Sequence, residues 1–142
     1  MNVYRSAIRL IAARDYTPEQ IRAWAPEDVD TEAWARRMHG IKPFVVEHEG
    51  RIVAYADVQA DGYIDHFFVS GTHERQGLGN LLMARIHEEA AVLKLTCLHS
   101  HVSRTAQPFF MRWGFAIVEL QRVERRGVVL DNARMSKALA VD

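Results

Sequence analysis

The chain has 142 residues and a mass of 16.2 kDa, with 18 basic and 18 acidic residues and therefore no formal net charge. Apolar residues make up 49% and charged residues 25%, which is too apolar for disorder and suits one globular domain spanning residues 1–142. Neutrality argues against nucleic acid or an anionic membrane as principal partner, since both recruit by excess positive charge. One cysteine, Cys97, makes neither an internal disulfide nor a cysteine-built zinc site. No apolar run reaches the ~18–20 residues of a membrane span, and Met1-Asn2-Val3-Tyr4-Arg5 opens no signal peptide. A reduced, cytoplasmic protein is expected.

In chain order, Val3, Ala7, Ile8, Ile11 and Ala12 recur at helical spacing and predict a helix over 3–13. Thr17-Pro18-Glu19-Gln20 starts a second helix, with Thr17 as N-cap, Pro18 in the first turn and Gln20 reaching back as in a capping box. Pro26 stops it. Asp30 or Thr31 caps a third helix that holds Trp34 and Met38 and closes at Gly40. Residues 44–47 and 52–58 are strand-like around the turn 48–51, and 63–69 continues as a third antiparallel strand after the turn Asp61-Gly62. Gly77 to Lys94 is the longest helix, with Leu78, Leu81, Leu82, Ile86, Ala90 and Leu93 as its apolar face. A strand over 95–101, a helix over 103–113 capped by Ser103 and ended by Gly114, and a hairpin of 115–123 with 128–136 complete the pattern. This order predicts an α+β fold with a mixed, mostly antiparallel central sheet flanked by helices.

The most informative stretch is Phe67-Phe68-Val69-Ser70-Gly71-Thr72-His73-Glu74-Arg75-Gln76-Gly77-Leu78-Gly79-Asn80. It is a strand, a loop with two glycines and the first turn of the longest helix. The first N–H groups of a helix lack internal partners and lie at the positive end of its dipole. Gly77 and Gly79, without Cβ atoms, let a phosphate approach them, and Arg75 adds positive charge. The alternative is that the glycines only permit a tight turn. No Lys follows them, which excludes a P-loop. Leu82 stands where a dinucleotide fingerprint needs a small residue, which excludes that motif as well.

Two motifs carry a family resemblance. Glu74-Arg75-Gln76-Gly77-Leu78-Gly79, and Phe109-Phe110-Met111-Arg112-Trp113-Gly114-Phe115 at the end of the following helix, resemble the paired signatures of the Gcn5-related N-acetyltransferase (GNAT) superfamily. Tyr16 to Trp24, Tyr63 to Phe67 and Thr105 to Phe110 together resemble YafP-like bacterial acetyltransferases. The resemblance spans roughly residues 3–139. It implies that acetyl-CoA is the co-substrate, its pantetheine arm held by the backbone of Phe67, Phe68 and Val69. Its pyrophosphate would lie over Arg75, Gln76, Gly77, Leu78, Gly79 and Asn80. Ser103 stands where relatives place a cofactor-touching Asn, and Phe110 where many carry the Tyr that protonates the leaving thiolate. The family's usual first strand is absent, so the chain is expected to begin in a helix and to leave one sheet edge open. Homodimers are common among relatives.

The implied reaction is attack of an amine on a thioester. An alkylamine is mostly protonated near neutrality (pKa about 10.4), so a base or a water relay must take a proton. His101, Asp65 and His66 are the candidates on the strands flanking the expected cleft, with Asp65 and His66 on opposite faces of one strand. Tyr16, Gln20 and Trp24 lie in the segment that walls the acceptor site in this family. His99 and His101 share a strand face without a third metal ligand, so no metal is expected. The expected activity is acetyl transfer from acetyl-CoA to a primary amine of a small molecule or peptide. The alternatives are a catalytically weak acyl-CoA-binding module and an interaction domain that keeps the fold.

Overall fold

The chain enters on a helix. In a computed structural model, which describes residues 2–11, 14–25, 30–73 and 76–140, α1 (Asn2–Ser6) runs directly into one wider π-helical turn, Ala7–Ile11. Residues 12–13 of the predicted first helix lie outside the described residues. The predicted capping box is present in α2 (Pro18–Trp24): Gln20 N–H donates to Thr17 Oγ1 (3.1 Å) and Thr17 N–H to Gln20 Oε1 (2.9 Å). Asp30 caps α3 (Thr31–Ile41) through the N–H groups of Glu32 and Ala33. That helix runs past Gly40 and stops at Lys42, whose φ of 49° is left-handed.

Strands β1 (Phe44–His48) and β2 (Arg51–Ala56) form the predicted hairpin. The third predicted strand is two. β3 (Tyr63–Ile64) pairs parallel with β5 (Cys97–Ser103), whereas β4 (Phe67–Val69) pairs antiparallel with β2. Helix α4 (Leu78–Val92), short α5 (Gln107–Arg112) and the hairpin β6 (Ala116–Arg125) to β7 (Val128–Ala138) follow. The sheet thus falls into two parts, ordered β1-β2-β4 and β3-β5-β7-β6. Among the described residues no strand lies outside β1, as the absent first strand implied.

Asp57 is the reason for the break. It sits just past β2 and is fully buried. Its Oδ1 accepts the N–H of both Asp65 (3.0 Å) and His66 (2.6 Å), and its own N–H donates to His66 O (3.1 Å). Those two N–H groups are satisfied by a side chain, so residues 65–66 leave the ladder and the chain changes neighbours between β3 and β4. Gln59 Nε2 completes the clasp, donating to Asp57 Oδ2 and to Ile41 O.

Two apolar clusters hold the layers. The larger packs Leu82, Met83, Ile86 and Ala90 of α4 against Ala54, Ala56, Leu98 and Met135 of the strands. Leu81 and Leu93, expected on that face, are exposed, and Met83 takes the inner position. The smaller joins Ile8, Tyr16, Ile21 and Ala25 to Leu130 of β7. Cys97 is half-buried. No helix is long and apolar enough to cross a membrane among the described residues. Replacing Asp57 by Ala should lower unfolding free energy by about 2–4 kcal/mol, since two part-buried backbone N–H groups lose their acceptor. Asn, which keeps the accepting oxygen, should cost clearly less. Denaturant melts of both variants check this, and an Ala variant as stable as the parent would show the clasp to be dispensable.

Candidate active site

Two clefts of about 620 and 610 Å³ open on either side of the break. The first is lined by Phe67, Phe68 and Val69 of β4, by Gly77, Leu78, Gly79 and Asn80, and by Ser103, Phe109 and Phe110. Ser70 N–H donates to Val53 O (2.8 Å), and Tyr55 stands opposite Phe68 in the ladder. Antiparallel bonding alternates, so the N–H and C=O of Phe67 and Val69 point away from β2. Among the described residues no strand pairs with β4 on that side. A row of free backbone donors and acceptors therefore faces the cleft.

The start of α4 supplies another. Leu81 N–H makes the first bond of the helix, to Gly77 O (3.1 Å), and no side chain caps the turn. The N–H groups of Leu78, Gly79 and Asn80 are thus free of intrahelical partners. The two glycines do different work. Gly77 has φ +77° with open space where a Cβ would stand, so it is required by its backbone angle and leaves room for an anion. A Cβ on Gly79 would lie 3.1 Å from the Phe109 ring, so Gly79 serves the packing of α4 on α5. Asn80 Oδ1 accepts from Trp113 Nε1 (3.0 Å). Gln76 is exposed and lines neither cleft. Arg75 and Glu74 lie outside the described residues. Ser103 ends β5, and the helix begins four residues later. Its hydroxyl and carbonyl close a turn on Ala106 N–H (3.3 and 3.1 Å). Phe110 is buried against Phe67 and Phe115, with ring centroids 5.5 and 5.0 Å apart.

The second cleft brings together Asp65, His66, His101, Tyr16 and Trp24 from the sequence candidates, with Tyr4, Trp34, Arg37 and the β6–β7 hairpin. Asp65 and His66 line the same cleft, against the expectation of opposite faces, because the Asp57 clasp interrupts the strand and its alternation there. Asp65 is ion-paired with Arg37. Tyr16 is buried, its hydroxyl donating to Asp131 O (2.5 Å) and accepting from Arg104 N–H (2.9 Å). Gln20 lines neither cleft. Its amide is held by the capping box and by Val129 O (2.9 Å). The two clefts meet at Trp24, Phe68 and Ser103, which line both.

Comparison with known proteins agrees with this architecture. A family model described as an acetyltransferase (GNAT) domain matches residues 12–138. The chain is a GNAT acetyltransferase. It is 30% identical over 133 residues to the uncharacterized N-acetyltransferase YafP of Escherichia coli strain K12, covering 94% of this chain and 83% of that one. A GCN5-related N-acetyltransferase from Rhodopseudomonas palustris superposes with a TM-score of 0.88 at 25% identity, covering 96% and 86% of the two chains. The PaiA N-acetyltransferase of Thermoplasma acidophilum, solved in complex with coenzyme A, shares the fold at a TM-score of 0.74 and 12% identity, over 96% and 89%.

Within this acetyltransferase the two cleft histidines differ in the nitrogen they have free. His66 Nδ1 lies 2.9 Å from the Tyr55 hydroxyl. Burial, with the nearby Tyr4, Asp57 and Asp65, pushes Tyr55 far above its ordinary range, so it stays protonated and donates to Nδ1. His66 is held below its usual value, chiefly by burial, with Arg37 adding to the fall and Asp65 opposing it. Its neutral ring therefore carries the proton on Nε2 and is a donor. His101 is exposed and is the reverse. Its Nδ1 lies 2.8 Å from Gln121 Oε1, an acceptor, so Nδ1 donates and Nε2 keeps its lone pair. Asp57 is raised by burial, with the N–H bonds from His66 and Gln59 pulling the other way.

Asp57, Tyr55 and Arg37 escaped the sequence reading. Asp57 carries a signal in the sequence, an acid at the end of an otherwise apolar strand. Two outcomes are expected in solution. Nitrogen-15 spectra should show the Nε2–H tautomer at His66 and the Nδ1–H tautomer at His101; identical tautomers would break the assignment. His66 should titrate below 6.5. The folded state then resists a proton that the unfolded chain accepts, so this group's stability contribution is full above pH 6.5 and declines as pH falls below it. Thermal melts between pH 7 and 5, with His66→Phe as reference, read that slope.

Proposed function

We propose that this domain transfers an acetyl group from acetyl-CoA to a primary amine, with the cofactor in the first cleft and the acceptor in the second. The observation that carries the reading is that the two clefts meet at Trp24, Phe68 and Ser103, beside the unpaired edge of β4. Acetyl-CoA supplies an activated acyl group on a leaving thiol of pKa about 8.5. The open turn at Gly77, with three free N–H groups, suits a pyrophosphate. The backbone groups of Phe67 and Val69 suit an amide-containing arm, and an N–H there is placed to stabilise negative charge growing on the acyl oxygen.

The base is His101. Its Nε2 lone pair accepts the proton as the amine nitrogen bonds to the acyl carbon and the carbon–sulfur bond breaks. Asp65 is a poorer acceptor, because protonation would cost its ion pair with Arg37. His66 offers an N–H and acts as a hydrogen-bond donor in the acceptor cleft. Phe110 brings no hydroxyl to the leaving sulfur, which therefore departs as thiolate. That absence favours the second reading, a weak acyl-CoA-binding module, and the two diverge in a thiol-release assay.

Coenzyme A release with a panel of primary amines should rise above the rate in water. Binding without release would leave the binding module. His101→Gln should lower kcat by about 10²–10⁴-fold while acetyl-CoA affinity, read by calorimetry, holds; unchanged kcat would remove His101 from the reaction. Gly77→Val should weaken acetyl-CoA at least tenfold and cost about 1–2 kcal/mol of stability for the left-handed backbone. Full affinity in that variant would move the pyrophosphate elsewhere.

A further inference from the structure

The second cleft has a direction. Gln121, Val123 and Arg125 alternate onto one face of β6 and all line it. At one end the Gln121 amide holds His101. In the middle Val123 stands opposite buried Leu130 in the ladder. At the far end lies Arg125. The four steps from Gln121 to Arg125 span about 14 Å of strand.

The charges along this track do not cancel. Asp65 is ion-paired with Arg37, and Asp131 lies 3.5 Å from Arg122. Arg125 makes no ion pair or hydrogen bond among the described residues, yet its charge is felt at the Tyr4 and Tyr63 hydroxyls. The hairpin that carries it is anchored. The next residue, Arg126, donates to Ala23 O (2.7 Å), and the returning strand is bonded to α2 through Gln20 and Val129. An exposed guanidinium without an acid of its own, on an anchored hairpin and beyond the apolar pair Val123 and Leu130 on a track that begins at His101, fits an acceptor with an amine at one end and a carboxylate at the other.

On the reading that the second cleft takes the acceptor, we infer that this acceptor is a short peptide with a free C-terminal carboxylate. Its N-terminal amine meets His101, its apolar residues lie along Val123 and Leu130, and its carboxylate pairs with Arg125. One amino acid is too short for the track, since an extended chain spans about 3.3–3.6 Å per residue; two or three residues span about 7–11 Å, and the Arg125 side chain, whose charge reaches Tyr63 beside His101, covers the rest.

The test uses the full chain with Ala-Phe, Ala-Ala-Phe, their C-terminal amides, free alanine and simple alkylamines, read by coenzyme A release. The peptide acids should exceed their amides at least tenfold in kcat/KM, mainly through KM, and should exceed alanine. In Arg125→Ala the acid-to-amide ratio should fall to near one, in Arg125→Glu it should invert, and Arg125→Lys should recover part of it. Acids and amides used alike, or a ratio unmoved by Arg125→Glu, would overturn this inference while release with any amine still upheld acetyl transfer. Release that no amine raises above the rate in water would overturn both.

Discussion

One buried carboxylate divides this molecule. Asp57 takes the N–H groups of Asp65 and His66 that a continuous strand would have given to its neighbour. The chain therefore serves β5 with two residues and β2 with three. Everything functional follows from that division. The sheet opens where it would otherwise be paired, β4 keeps a free edge, and residues 65 and 66 present their side chains to one cleft. A buried carboxylate is a costly instrument for shaping backbone, and it is tolerable here because three donors meet it.

The sequence showed the parts list of the fold and little of this division. The capping box at Thr17, the turn after Asp61 and the long helix at Gly77 were legible because each is a local device with its own residue signature. So was the glycine loop, since few patterns place two glycines between a strand and a helix. The break at residues 65–66 was not legible, because Tyr63 to Val69 is strand-forming on both sides of Asp65 and His66, and the cause lies six residues before that stretch, in another element. Local propensity describes a residue in its own segment; Asp57 acts across segments.

The site was legible to a similar depth. Residue types singled out the glycine loop and gathered His66, His101 and Asp65 as candidates, and all three line one cleft. What separates them is the partner each has: Tyr55 for one histidine, Gln121 for the other, Arg37 for the aspartate. Those partners lie 11, 20 and 28 positions away, beyond the reach of periodicity. The two glycines give the same lesson in miniature. Adjacent in the motif, they answer to unrelated constraints, a backbone angle at Gly77 and the ring of Phe109 at Gly79.

The two apolar clusters are unequal, and their inequality divides the molecule mechanically. The larger one carries the sheet, α4 and α5. The smaller one ties the first two helices to Leu130 with a handful of side chains, assisted by Tyr16 on Asp131 and Arg126 on Ala23. That N-terminal unit roofs both clefts: Ile8 and Trp24 over the first, Tyr4, Tyr16 and Trp24 over the second. A fluctuation that releases the smaller cluster alone unroofs both compartments at once and leaves the glycine turn and β4 intact. Local unfolding free energies run from near zero up to the global value, and sparse packing sits low on that scale. On the proposed use of the clefts, opening of that unit would expose the cofactor and acceptor compartments together.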